Sequence, residues 1–177
     1  KVRIITYSDE LETDWDNFVQ HSRNGTFMQQ RNFINYHPPE KFKDCSLLGE
    51  IVLPVGLQTI GMSAFYNCES LRILIIPPTV ISIGAEALCG TPWFKEQPDG
   101  LVYVNNVLYC YKGAMLPSTQ LTLRDGTISV AAKAFCECDS LVSISIPEGV
   151  KEIGSQAFES CSSLQQVVLP ESLVNVG

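Results

Sequence analysis

Seven cysteines are the residues in this chain whose type could do chemistry, and "AFCECDSL" at residues 134–141 sets two of them, Cys136 and Cys138, one residue apart. The stretch returns at residues 157–164 as "AFESCSSL", where Cys161 takes the place of Cys138. Three readings compete for such thiols: a metal site, a disulfide and a packed ladder. A structural zinc ion draws four ligands from closely paired Cys or His elements, and the only histidines, His21 and His37, lie far along the chain from this cluster. Units stacked at strand spacing would set the Cα atoms of Cys138 and Cys161 about 4.8 Å apart, which suits a disulfide. Side chains pointing the same way would leave the Cβ atoms near that separation too, beyond the disulfide mean of about 3.8 Å. A ladder of buried thiols, Cys45 over Cys68 and Cys138 over Cys161, is the reading the spacing favours. Cys136 falls outside that ladder, as do Cys89 and Cys110, which are expected to be more accessible. The odd count leaves at least one thiol unpaired in a monomer, so cysteine usage leans towards reduced thiols.

Other chemistry finds less support. Two histidines in helix-forming sequence assemble no hydrolase triad with the serines of "CDSL" and "CSSL", which suit hydrogen bonding to turn backbone instead. Asn24-Gly25-Thr26 satisfies a glycosylation sequon, but a Gly turn with Thr26 as helix cap is the favoured reading. No catalytic, cofactor-binding or metal residue is expected.

The elements that position the cysteines follow from a 23-residue step. Pro54 and Pro77 are separated by that step, and so are Pro147 and Pro170. Leu48, Leu71, Leu141 and Leu164 share one slot, and Ile51, Leu74, Leu121, Ile144 and Val167 the next. Ile60, Ile83, Val130, Ile153 and Val176 share another, followed by Gly61, Gly84, Gly154 and Gly177. A unit this short cannot bury its own core, so the units must stack as a solenoid with like slots superposed. "LVSISIP" alternates as a strand does and stops at a proline, which gives each coil one short strand of a parallel sheet. The glycine after Ile83 or Ile153 is expected to permit a sharp corner, the following alanine to be small where coils crowd, and the phenylalanine to fill the interior.

The stretch from Pro77 to Pro147 leaves room for whole coils of the same step, yet one is degenerate. "LVYV" and "VLYCY" joined by Asn105-Asn106 read as a β-hairpin, an insertion at about 92–116 in place of a coil. Ahead of the repeats, Leu11, Trp15, Phe18 and Val19 have helical spacing, and a second helix is expected from Thr26 to the Pro38-Pro39 pair. The expected architecture is an α/β leucine-rich repeat solenoid at 41–177 with an N-terminal helical cap at 1–40.

The totals agree with a folded chain. Its 177 residues are 45% hydrophobic and 18% charged, enough apolar material for a core. A net charge of -7 with 12 scattered Lys and Arg argues against nucleic acid. The longest apolar run, "ILIIPPTVISIG", is cut by two prolines and is too short to span a bilayer, so no membrane insertion is expected. The opening residues lack a secretory leader, so either the chain acts inside the cell or a leader was removed. "LVNVG" stops part-way through a unit, so either the open core face is covered or more repeats follow.

With these motifs, "SLVSISIPEGVKEIGSQAFESCSSL" and "LPVGLQTIGMSAFYNCESL" resemble the BspA-like leucine-rich repeats, a bacterial class common in large cell-surface proteins. The resemblance spans about 41–177. It implies a right-handed solenoid that binds proteins, with adhesion to host matrix proteins among its roles, and no catalytic residue or cofactor. Residues 1–48, notably "WDNFVQHSRNGTFMQQRNFINYHPPEKFKDCSLL", resemble the opening of GNAT-type acyltransferases without the Gly-rich loop that holds acetyl-CoA. A remnant of such an enzyme fused to repeats, and a structural spacer in a larger array, are the alternatives to a protein-binding module.

Binding then falls to surface. Residues between core slots face outward on the strands: Val52; Arg72, Ile73 and Ile75; Gln120 and Thr122; Ser143 and Ser145; Gln165 and Val168. This mainly uncharged face is one candidate interface. The aromatic insertion is another, through Trp93, Tyr103 and Tyr109, since exposed Trp and Tyr are favoured anchors; packing against neighbouring coils is the competing use of those rings.

Overall fold

The computed structural model describes residues 49–177. The expected cap helices, Cys45 and the acyltransferase-like opening lie outside the described residues.

Alternation of apolar and polar residues makes short strands, and the prolines and turns between them keep each one short. In chain order these are β1 (Glu50–Val52), β2 (Thr59–Ile60), β3 (Ile73–Ile75), β4 (Ser82–Ile83), β5 (Gly100–Val104), β6 (Val107–Lys112), β7 (Thr119–Thr122), β8 (Ser129–Val130), β9 (Leu141–Ser145), β10 (Glu152–Ile153), β11 (Gln166–Val168) and β12 (Asn175–Val176). Each regular coil contributes a longer strand to one side and a two-residue strand to a second side. On the first side β1 pairs with β3, and β9 with both β7 and β11; on the second, β2 pairs with β4, and β10 with both β8 and β12, all in parallel. The partners Ile51 and Leu74, Ile60 and Ile83, Ile144 and Val167, and Ile153 and Val176 are the shared slots of the repeat.

Among the described residues helix is confined to one short element, α1 (Pro92–Lys95), so the fold is a β-solenoid rather than the α/β class expected. The reason lies in the "AF" turns. Ala64 N–H donates to Gly61 O and Tyr66 N–H to Ser63 O, but Ser63, Glu86, Lys133 and Gln156, which share one slot, take φ of +53°, +58°, +57° and +59°. Residues in that left-handed region stop a helix from propagating. The turns stack instead: the N–H groups of Ser63, Phe65 and Asn67 donate to the carbonyls of Ala85, Ala87 and Cys89 in the next coil at 2.9, 2.7 and 2.8 Å.

The glycine slot also has a different cause from the one expected. Gly84 and Gly154 do not sit in the left-handed region; a Cβ on Gly84 would lie 2.3 Å from Met62 N, and one on Gly154 2.4 Å from Ala132 N. Glycine is required there by the approach of the neighbouring coil's backbone. The alanine and aromatic expectations hold: Ala87, Ala134 and Ala157 are buried, as are Phe65 and Phe135, and Phe135 stacks on Phe158 with centroids 5.3 Å apart.

The degenerate coil is the expected hairpin. β5 and β6 pair antiparallel around Asn105-Asn106, with Val104 opposite Val107 and Asn105 at φ +52°. β6 then pairs in parallel with β8, Leu108 opposite Val130, so Leu108 supplies the rung next to Val130. That pairing falls one position short of the repeat step, which is why a fixed step does not find it. The hairpin separates two core clusters: Val102, Val104, Val107 and Tyr109 join the cluster of the earlier coils, while Leu108, with Leu101, Tyr103 and Tyr111 packed beside it, joins that of the later ones.

Candidate protein-binding face

The sites open to binding follow from which side chains this stacking turns outward. Strand alternation places Leu74, Ile144 and Ile146 inside and leaves Val52, Ile73, Ile75 and Val168 between 41% and 52% exposed. Gln120, Thr122, Arg72 and Gln165 are also exposed, and Ser143 and Ser145 are half-buried on the same side of β9. Two further outward positions, Glu50 on β1 and Gln166 on β11, were not among those expected; alternation back from Val52 and Val168 finds them. The face has two parts. Val52 pairs beside Ile75, and Glu50 beside Ile73, in an aliphatic zone, whereas Thr122 pairs beside Ser145, and Gln120 beside Ser143, in a hydroxyl and amide zone. The exposed Arg72 makes a 3.2 Å ion pair with Glu96 at the rim.

The insertion, by contrast, turns its aromatic rings inward. Tyr109, expected as a surface anchor, is 2% exposed. Its hydroxyl accepts the Leu88 N–H at 2.9 Å and lies 3.6 Å from the Cys89 sulfur. Burial, above all, pushes that phenol well above its ordinary pKa. The Leu88 N–H is the counterpart of those of Phe65 and Phe135, which donate to the next coil's carbonyls; the Tyr109 oxygen replaces the carbonyl that the hairpin does not provide. Tyr103 lies under the Arg124 guanidinium, 4.0 Å from its ring centroid, and its hydroxyl accepts Arg124 N–H at 3.2 Å. Trp93 is half-buried against the first cluster, on a single helical turn capped by the Thr91 hydroxyl, which accepts the Phe94 N–H at 3.0 Å. Asn105 Nδ2 donates to the carbonyls of Ile76 and Pro77, both at 3.1 Å, and so ties the hairpin tip to the preceding coil.

The thiols sort by depth. Cys68 is buried, whereas Cys138 and Cys161 are half-buried, so that rung of the expected ladder is only partly sealed. Cys110, expected to be accessible, packs against the first cluster, and burial pushes its thiol up to about 12. Cys138 is pushed up to about 11, again chiefly by burial. Cys136, the thiol without a place in the ladder, donates to the Glu159 carboxylate at 3.7 Å; its pKa is raised by burial and by that carboxylate. Among the described residues no group of His, Cys, Asp and Glu is arranged to hold a metal, and no helix is long and apolar enough to cross a membrane.

Parallel rungs, stacked turns and superposed leucine slots define a leucine-rich repeat solenoid. The sequence matches the family model of the BspA type leucine rich repeat region, in 6 copies, over residues 4–95 and 108–177, and the chain belongs to that family. The match starts at residue 4 and so runs through most of 1–40, where a helical cap was expected and which no other finding supports as one. No curated protein matches the sequence. Among solved structures, the chain is similar to the pneumococcal vaccine antigen PcpA, with 22% identity, a TM-score of 0.43, and 70% of this chain and 40% of that one covered. It is similar to a leucine rich cell surface protein of Faecalibacterium prausnitzii, with 24% identity, a TM-score of 0.35, and coverage of 76% and 45%. A third is the leucine rich repeat protein of T. pallidum, with 23% identity, a TM-score of 0.35 and coverage of 73% of each chain. The chain thus spans less than half the length of the first two.

Proposed function

We propose that the chain is a non-enzymatic protein-binding repeat module that engages its partner through the outward strand face, with Ile73, Ile75 and Val52 as apolar anchors. Thr122, Ser143, Ser145, Gln165 and Val168 extend the surface, and Arg72 lies on its rim. The observation that carries this reading is the charge distribution. Among the described outward positions of β1, β3, β7, β9 and β11 only Glu50 is charged, with Arg72 at the rim, in a chain of net charge -7, and depletion of charge marks the core of an interface. The insertion at about 92–116 serves this reading as the joint that keeps the earlier and later strands on one solenoid. Solenoid 41–177 is the binding unit. A cell-surface or secreted setting, and adhesion to host matrix proteins, belong to the same proposal and rest on the family resemblance.

The test is saturable binding of the intact protein to a panel of purified extracellular-matrix proteins, compared with Ile73→Ser/Ile75→Ser and with Glu69→Gln on the turn side. Binding by the parent and Glu69→Gln but not by the double variant supports the strand face. Equal binding by all three, or none by the parent, overturns it. Calorimetry with acetyl-CoA separately decides whether the acyltransferase-like opening at about 1–48 keeps a ligand.

A further inference from the structure

The thiols of the later coils are not used by the strand face, and two of them stand in an arrangement the stacking alone does not require. The turns that carry them are clamped by the rung bonds Phe135 N–H to Ala157 O and Glu137 N–H to Glu159 O, both 2.8 Å. Cys161 directs its thiol back onto the preceding coil and donates to the Phe135 carbonyl at 3.0 Å. The same carbonyl accepts the Cys138 N–H at 3.1 Å, so the Cys161 sulfur rests beside the Cys138 backbone instead of over its own turn. Coil spacing of about 4.8 Å lies inside the Cα range of disulfides, about 4.4 to 6.8 Å. This lean leaves the Cβ separation, which the backbone sets, unchanged, but it carries the Cys161 sulfur across towards the Cys138 turn.

We propose that Cys138 and Cys161 are a redox pair whose oxidation staples their two coils together. Both are half-buried, so neither is sealed in the core. Neighbouring thiols are engaged elsewhere, Cys136 with the Glu159 carboxylate and Cys110 with the first core cluster. When the Cys161 sulfur leaves the Phe135 carbonyl, that oxygen keeps the Cys138 N–H, so no acceptor is orphaned. The oxidant is a peroxide. One thiol, attacking as the minor thiolate that burial leaves it, breaks the O–O bond to give a sulfenic acid and release water; the other then attacks the sulfenic sulfur, forms the S–S bond and releases a second water. Two thiols lose two electrons and two protons, and the peroxide is reduced to two waters.

A staple between these two coils restrains local opening of the segment that follows Cys161.

Hydrogen peroxide treatment of the purified protein, followed by alkylation and peptide mapping, tests the pair. The expected result is a mass lower by two hydrogens, a Cys138–Cys161 cross-linked peptide, and slower amide exchange across residues 162–176 that dithiothreitol reverses. Cys138→Ser and Cys161→Ser should each abolish the cross-link, and Cys136→Ser should keep it. A link through Cys136 or Cys110 instead, thiols that stay alkylatable or pass to sulfinic acid unlinked, or a link that leaves exchange unchanged, would each overturn the proposal.

Discussion

The coil that carries Phe135 and the hairpin that carries Tyr109 meet the same two demands by different means. A regular coil fills the interior with a phenylalanine from its stacked turn and satisfies its neighbour's N–H groups with its own backbone carbonyls, as Phe135 N–H finds Ala157 O at 2.8 Å. The hairpin fills the interior with a tyrosine from strand β6 and satisfies Leu88 N–H with that residue's hydroxyl, at 2.9 Å. A buried peptide group must be paired by something, and a side chain can stand in for backbone. The exchange has a consequence: a regular joint survives any single side-chain change that keeps the backbone in place, whereas the joint at Leu88 depends on one phenol.

The sharpest way to break this comparison is to remove both rings. Phe135→Ala and Tyr109→Ala should each destabilise by about 3–5 kcal/mol, with Tyr109→Ala adding an unpaired Leu88 N–H, read as a fall in the midpoint of urea unfolding. If Tyr109→Ala proves much the milder, the hairpin is not the structural counterpart of a coil. Removing the hydroxyl alone isolates the stand-in bond. Tyr109→Phe should cost about 1–3 kcal/mol, the penalty for leaving a buried donor unsatisfied, and amide exchange at Leu88 should quicken while exchange at Phe65 stays unchanged.

Gly154→Ala probes a regular joint through its backbone, because its Cβ would meet Ala132 N at 2.4 Å. A loss of about 1–3 kcal/mol is expected, as for overpacking elsewhere, against a change within about 0.5 kcal/mol for Ile75→Ser on the open face.

The smallest effect is a pH dependence. Cys110 in the hairpin is raised to about 12 and Cys138 in a regular coil to about 11, both above the usual thiol value near 8.5. A thiol whose folded pKa is raised leaves stability intact below its unfolded pKa. Stability falls as pH climbs through that value towards the folded one, because only the unfolded chain ionises freely. Alkaline destabilisation should therefore set in above about pH 8.5 and lessen in Cys110→Ser. Iodoacetamide at pH 9 should label Cys138 faster than Cys110.

Much of this was legible beforehand. The slots of Leu74, Ile83, Ile144 and Val167 recur at a fixed step in sequence and fall on paired strands in space, because a solenoid turns sequence period directly into stacking. The hairpin was legible from two alternating runs around Asn105-Asn106. Its role was not, since Leu108 enters the ladder opposite Val130, one position short of the step, and no period marks it. Tyr109 was misplaced for a related reason: an aromatic-rich insertion looks the same in sequence whether its rings face solvent or a core.

By itself the sequence determined the coil, its step, its core slots and its strand face, all properties of one unit repeated against a like neighbour. The tertiary structure decided what happens where unlike units meet. It set which face of the hairpin each cluster receives, that Gly84 and Gly154 answer to a neighbour's backbone, and that the Cys161 thiol leans onto the coil of Cys138. Those outcomes depend on distances between segments far apart along the chain, and a local pattern of residue types carries no information about such distances until the coils are stacked.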